Sequence, residues 1–395
     1  MVRGVVEGFY GRPFEGGRRK LLLRHLSGLA NPVYMYCPKN DPRHRVGWRE
    51  DYPSADWRLL ADDMEEAGDL GVDFIFGVSP WGFREAEHPS LRRKARTALD
   101  SGASGIAVLF DDVPGQVDAG LAIRQLRFAR KALEGIECRV FLCPTVYCDE
   151  LLERYDGADY LAAWRKEAPA EWTPMWTGGQ VVSRTLDGSS LMEAAELLGG
   201  APAVWDNLLA DDYCLRRIYL AGLDGRPPPG HDYFLNPSEC FPAALYGVYS
   251  LLKAAGVSCP LPAELGSVPQ AWEVLGGFHH TPWSPGPRTA ILLNDMKRAM
   301  ETGPGEDLLG RLDNISRLMD LLLDDLEVIP FGWEIAPYAR DLKRMAGWWM
   351  EALALPSRQE RARRLEYLMF RRLPFDHPLA VVTAELSGFY REGDS

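Results

Sequence analysis

Short, almost uninterrupted apolar runs recur eight times between residues 2 and 236, and stretches of helical spacing separate most of them. The runs lie at 2–8, 33–37, 73–78, 106–111, 139–144, 174–177, 203–206 and 233–236. Continuous rather than alternating apolar character is what strands need when helices cover a parallel sheet. Between them, Trp57, Leu59, Leu60, Met64, Ala67 and Leu70 recur at threes and fours, and Leu121, Ile123, Leu126, Phe128 and Leu133 do so more loosely. Eight strand–helix units predict an α/β fold of the (β/α)8 TIM-barrel type. A doubly wound sheet is the alternative, but it would carry a glycine-rich first turn, and no GxGxxG occurs. Gly11 and Gly16 have the spacing of a phosphate loop, yet Gly17 stands where its lysine must be.

After residue 255 the texture changes. Pro- and Gly-rich segments at 259–262 and 281–287 lead into a helical tail. Leu308, Leu312, Ile315, Leu318, Met319, Leu322 and Leu326 form one apolar stripe at helical spacing. A second helix is predicted at 338–354, carrying Trp348, Trp349 and Met350 as core, and a third near 358–373. The expected organisation is a catalytic barrel over 1–255 followed by a C-terminal α-helical domain over 256–395.

With 44 Lys and Arg against 56 Asp and Glu, the net charge of −12 disfavours nucleic-acid and polyphosphate partners. No run approaches the roughly 20 apolar residues of a membrane helix, and residues 1–11 do not read as a leader. The seven cysteines are scattered. Cys138, Cys143 and Cys148 recur every five residues, which fits neither a zinc knuckle nor a CxxC pair. They read as reduced thiols of a cytoplasmic protein, with no cofactor and no metal expected. The histidines form no HxH or HExxH set, and no GxSxG elbow appears.

In a barrel of this kind, chemistry collects where strands end and loops begin. The predicted strands end in EGFYGR (7–12), CPKND (37–41), FDDVPG (110–115), PTVY (144–147), WDN (205–207) and NP (236–237). Asp111 and Asp112 are the sharpest feature. Inside a strand, neighbouring side chains face opposite ways, so one of two adjacent aspartates would be buried among helices at several kcal/mol. Pro114 and Gly115 end the strand and let both carboxylates face the barrel mouth. From the pair alone, three readings stand: acid–base catalysis, a Mg²⁺ site, or a helix cap beside a solvated charge. Tyr10, Tyr36, Trp48, Trp81, Tyr147, Trp176 and Trp205 lie near the same rim. Flat apolar faces beside carboxylates and amides suit a sugar ring, though at least half are expected to be core.

The runs VVEGFYGRP (5–13), YCPKND (36–41), LFDD (109–112), CPTVYC (143–148) and VWDN (204–207) resemble the β-N-acetylglucosaminidases of glycoside hydrolase family 84. WTG (176–178), VVS (181–183) and LNP (235–237) extend the match, so it covers residues 2 to 255. The resemblance implies a retaining exo-glycosidase that hydrolyses terminal β-linked N-acetylglucosamine, on a glycan or on protein Ser or Thr, through an oxazoline made by the substrate's own acetamido oxygen. By similarity, Asp111 would orient the acetamido group and Asp112 would act as general acid and base. Tyr147 would bond the acetamido oxygen. Gly8, Lys39, Trp205, Asn207, Asp212 and Asn236 would bind the sugar, with Asp211 directly preceding Asp212. Asn40 and Phe14 depart from the family's usual acidic residue and tryptophan. Pairing of two copies through the C-terminal helices is a further expectation. The alternatives are a carbohydrate-binding protein on the same fold, an endo-acting hydrolase of hyaluronan or glycans, and a metal-dependent hydrolase.

Overall fold

The computed structural model describes residues 1–112, 115–214, 216–226, 230–371 and 378–387. Its strands are β1 (Arg3–Glu7), β2 (Pro32–Tyr36), β3 (Asp73–Val78), β4 (Gly105–Leu109), β5 (Arg139–Cys143), β6 (Thr173–Trp176), β7 (Ala203–Asp206) and β8 (Tyr233–Leu235). Each pairs in parallel with the next, and β8 pairs with β1, so the sheet closes into the expected barrel. No strand leaves more than its first residue incompletely buried. That double-sided burial is why the runs are continuous rather than alternating. Val113 and Pro114, which the sequence reads as the start of the turn after the fourth strand, lie outside the described residues.

Around the strands run α1 (Arg18–Leu26), α2 (Ser54–Asp69), α3 (His88–Asp100), α4 (Ala119–Leu133), α5 (Asp149–Arg154), α6 (Ala158–Glu167) and α7 (Gly188–Leu198). Helix α4 shows why they form. Ala122, Gln125, Leu126, Ala129, Ala132 and Leu133 make one buried face at three- and four-residue spacing. Asp118 caps it by accepting the Leu121 N–H at 2.7 Å. In α2 the buried face is Leu60, Asp63, Met64 and Ala67, while Leu59 is exposed.

A buried ionic cluster ties the first elements together. Glu7 at the end of β1 accepts the Arg19 Nε–H at 3.0 Å, the Phe14 N–H at 2.7 Å and the Tyr34 hydroxyl. Arg19 of α1 also pairs with Asp63 of α2. The loop over residues 8–14 is thereby anchored to its own strand.

The chain divides into two compact units. One comprises Met1–Asp212, Leu223–Glu239 and Ser250–Cys259; the other comprises Tyr213–Gly222, Cys240–Tyr249 and Pro260–Ser395. After α8 (Phe241–Ala254) the second unit holds α9 (Pro269–Phe278), α10 (Pro287–Thr302), α11 (Glu306–Val328), α12 (Gly332–Leu353), α13 (Arg358–Arg371) and α14 (Pro378–Ser387). The predicted stripe of α11 is buried, and α12 answers it with Ile335, Ala339, Leu342, Met345 and Trp349. Trp349 is core, its indole N–H held by Thr383 at 2.7 Å, whereas Trp348 is half-buried. Helices α9 and α10 are absent from the sequence reading, and α12 begins six residues before its predicted start. Residues 372 and 373 of the third predicted helix lie outside the described set. Among the described residues, no helix is long and apolar enough to cross a membrane.

Candidate active site

Strand β4 stops at Leu109, so Asp111 and Asp112 lie beyond the regular alternation and occupy different settings. Asp111 is buried, with 7% of its surface exposed, and its Oδ2 is ion-paired to Lys39 Nζ. Its Oδ1 is buried too and has no hydrogen-bond partner. Asp112 is exposed and takes a left-handed backbone, φ 51°. An aspartate tolerates that conformation better than most residues. Its carboxylate accepts the Tyr10 hydroxyl at 2.8 Å on Oδ2 and the Tyr147 hydroxyl at 3.0 Å on Oδ1.

A polar bracket fixes this turn from behind. Thr145 Oγ1 donates to the Phe110 carbonyl at 2.8 Å, immediately before the pair. Gln125 of α4 donates to Thr145 at 2.8 Å, and Tyr160 of α6 donates to Gln125 at 2.6 Å. Every member is buried and bonded, the condition under which such a network rigidifies rather than destabilises.

Burial pulls the Lys39 ammonium down, but the Asp111 and Asp112 charges outweigh it and raise its pKa above the ordinary lysine value. Lys39 therefore stays a cation, with Nζ 5.3 Å from the centroid of the Trp205 ring. His44 goes the other way. Burial first, then the Lys39 charge, lower its pKa to about 3, and its Nδ1 meets the Gly77 carbonyl at 3.0 Å. Burial, followed by the Asp112 charge, pushes Tyr147 well up and Tyr10 to about 12. Both phenols are donors at neutral pH.

Opposite the aspartates, Trp205 Nε1 donates to Asn207 Oδ1 at 2.8 Å, and Asn236 Nδ2 donates to the same oxygen at 2.9 Å. Asn236 Oδ1 accepts the Gly8 N–H at 3.1 Å, and Asn207 Nδ2 bonds the Val181 carbonyl at 2.8 Å. Gly8 is required here. A Cβ built on it would meet the Trp205 ring at 2.2 Å, so the glycine makes room for the indole. Asp212 accepts the Tyr10 N–H at 2.6 Å. Asp211 turns instead to Ser238 Oγ at 2.5 Å and the Glu239 N–H at 3.2 Å, buried, with burial raising its pKa to about 7.

Asp111, Asp112, Tyr147 and Lys39 thus form one cluster, which Lys39 joins to Trp205. Gly8, Trp205, Asn207 and Asn236 form a bonded chain beside it, and Asp212 joins through Tyr10. Of the rim aromatics, Tyr36, Trp48 and Trp176 are core. Sequence reading placed Tyr10 only among the rim aromatics, with no part in holding Asp112, and did not single out Arg45. Arg45 lies in the β2–α2 loop, and only its place in the run carrying Lys39 hints at it. Among the described residues, no group of three His, Cys, Asp or Glu side chains is arranged to hold a metal.

A family model described as beta-N-acetylglucosaminidase matches residues 3–244, the entire barrel sheet with all the residues above. The chain belongs to the β-N-acetylglucosaminidase family. Within it, the chain is similar to the protein O-GlcNAcases of Mus musculus and Rattus norvegicus, each 30% identical over 266 residues. That stretch is 63% of this chain and 29% of each relative's length. In fold, this family member resembles a mutant of the Thermobaculum terrenum O-GlcNAc hydrolase, with TM-score 0.81 at 22% identity over 98% of this chain and 93% of that one.

Proposed function

We propose that the chain is a retaining exo-β-N-acetylglucosaminidase working by substrate-assisted catalysis. The observation that carries the proposal is the unlike setting of two adjacent carboxylates. Asp111 offers a buried, unpartnered Oδ1 beside an ion-paired Oδ2, a place for one N–H donor. The acetamido N–H of the substrate is that donor, which turns the acetamido oxygen toward the anomeric carbon. As that oxygen bonds to the anomeric carbon, the glycosidic bond breaks and its electrons pass to the leaving oxygen, which takes the proton of Asp112. Asp112 then removes a proton from water, whose oxygen opens the oxazoline and restores the β-configuration. Tyr147, held on Asp112 in the free site, passes its hydrogen bond to the acetamido oxygen when the sugar arrives. Lys39, Asn207, Asp212 and Asn236 hold the ring and its substituents, and Trp205 walls the pocket.

The O-GlcNAcase relatives support N-acetylglucosamine on protein Ser or Thr as the natural substrate class. A cytoplasmic setting belongs to the same proposal; it rests on the scattered cysteine spacing of the sequence. Pairing of two copies through the C-terminal helices belongs to the same proposal.

Release of 4-nitrophenol from its β-N-acetylglucosaminide, with EDTA present, tests it. Asp111→Asn and Asp112→Asn should each lower turnover by about 10²–10⁴-fold. Turnover indifferent to both substitutions would overturn the mechanism. Binding of N-acetylglucosamine without turnover would make the chain a sugar-binding protein, and loss of turnover to EDTA would point to a metal.

A further inference from the structure

Arg45 is 9% exposed, yet among the described residues it forms no ion pair. A buried cation without a carboxylate is costly, so what surrounds it deserves an account. Its guanidinium lies between two aromatic faces, 4.4 Å from the Trp81 ring centroid and 5.2 Å from that of Tyr10. Its side-chain hydrogen bonds go to two neutral oxygens. Nη1 donates to the Tyr10 hydroxyl at 2.5 Å, and Nη2 makes a longer bond, 3.4 Å, to the backbone carbonyl of Asp112.

Both contacts converge on one residue. An N–H donated to a phenol oxygen fills a lone pair there, so the phenol hydrogen must turn to another acceptor. For Tyr10 that acceptor is Asp112 Oδ2 at 2.8 Å, and donors in series strengthen one another. Meanwhile the 3.4 Å bond bears on the main chain of the left-handed residue itself. We infer that Arg45 is a positioning residue: through Tyr10 and the Asp112 carbonyl it holds Asp112 aimed at the leaving-group oxygen, with Trp81 as the shelf that keeps the guanidinium in place. The inference rests on the acid role given to Asp112 above.

Arg45 moves no proton; it sets where the Asp112 proton is delivered. Its loss should therefore matter in proportion to how much the departing oxygen needs protonation. Dinitrophenyl, 4-nitrophenyl and methyl β-N-acetylglucosaminides span that need. Arg45→Met should lower kcat/KM for the methyl glycoside by about tenfold or more, and for the dinitrophenyl glycoside by no more than about threefold. Arg45→Lys, which keeps the charge but not the two-pronged reach, should fall between. Tyr10→Phe should show the same steepening, and the Arg45→Met, Tyr10→Phe double variant should be little worse than the worse single one.

An equal loss on all three glycosides would mean a merely structural role and overturn the inference, as would additive losses in the double variant. Tyr10 is partly exposed, so Tyr10→Phe decides the matter if Arg45→Met does not fold; a flat dependence there overturns the inference as well. Asp112→Asn runs alongside. If it fails to steepen the dependence, the acid assignment itself falls; if it steepens while Arg45→Met and Tyr10→Phe stay flat, only the inference about Arg45 falls.

Discussion

At the scale of single residues, the site depends on who lacks a partner and who lacks a side chain. Asp111 Oδ1 is the first case and Gly8 the second. Gly8→Ala should push the Trp205 indole aside and loosen its bond to Asn207; we expect kcat/KM to drop by about 10²-fold with the thermal midpoint little changed. Wild-type kinetics in that variant would show that the position of the indole does not matter to turnover. Much of this was readable from the chain. Adjacent aspartates cannot both be accommodated inside a strand, so their position at a strand end followed from alternation together with Pro114 and Gly115. Lys39 and Tyr147 lie in strand-end runs as well, but the resemblance to the family is what singled them out. Arg45 did not, because its meaning lies in two contacts across separate loops, 35 and 67 residues away in sequence. Nor did the difference between Asp211 and Asp212. Two consecutive carboxylates look alike until the loop carrying Ser238 and Glu239 arrives to claim one of them.

At the scale of elements, the strands were legible because burial on both faces leaves one residue type at nearly every position. Helices α9 and α10 were not. Each opens with a proline at or next to its first position, where a missing N–H costs nothing, so a good helix start looks like connector sequence. Pro337 misled in the same direction, since it sits inside α12 rather than before it. The joint between β1, α1, β2 and α2 depends on the Glu7–Arg19–Asp63 cluster with Tyr34. Arg19→Met would leave two buried carboxylates unpaired, at a cost of about 3–5 kcal/mol. Denaturant unfolding should show the loss, and a variant as stable as the parent would mean the cluster is not a keystone.

For the molecule as a whole, the Asp211 carboxyl links stability to pH. Its pKa, near 3.8 as a free side chain, rises to about 7 in the fold, so between those values the native state binds the extra proton. Stability from this group is then fully present below pH 3.8 and is lost as pH rises through 7. The thermal midpoint of Asp211→Asn should fall less than that of the parent between about pH 5 and 8; parallel profiles would refute the linkage. Barrel closure has a consequence in time. Strand β1 is hydrogen-bonded on one side to β2 and on the other to β8. On the ribosome, the barrel's first strand waits for its last, through more than 200 residues at about 5–20 residues per second. Until Tyr233–Leu235 emerges, β1 shows an open edge to every neighbouring nascent chain, and Gly8 has no Asn236 to hold it. A chaperone that shields β1 and Gly8 during synthesis would protect the sheet and the sugar site with a single grip.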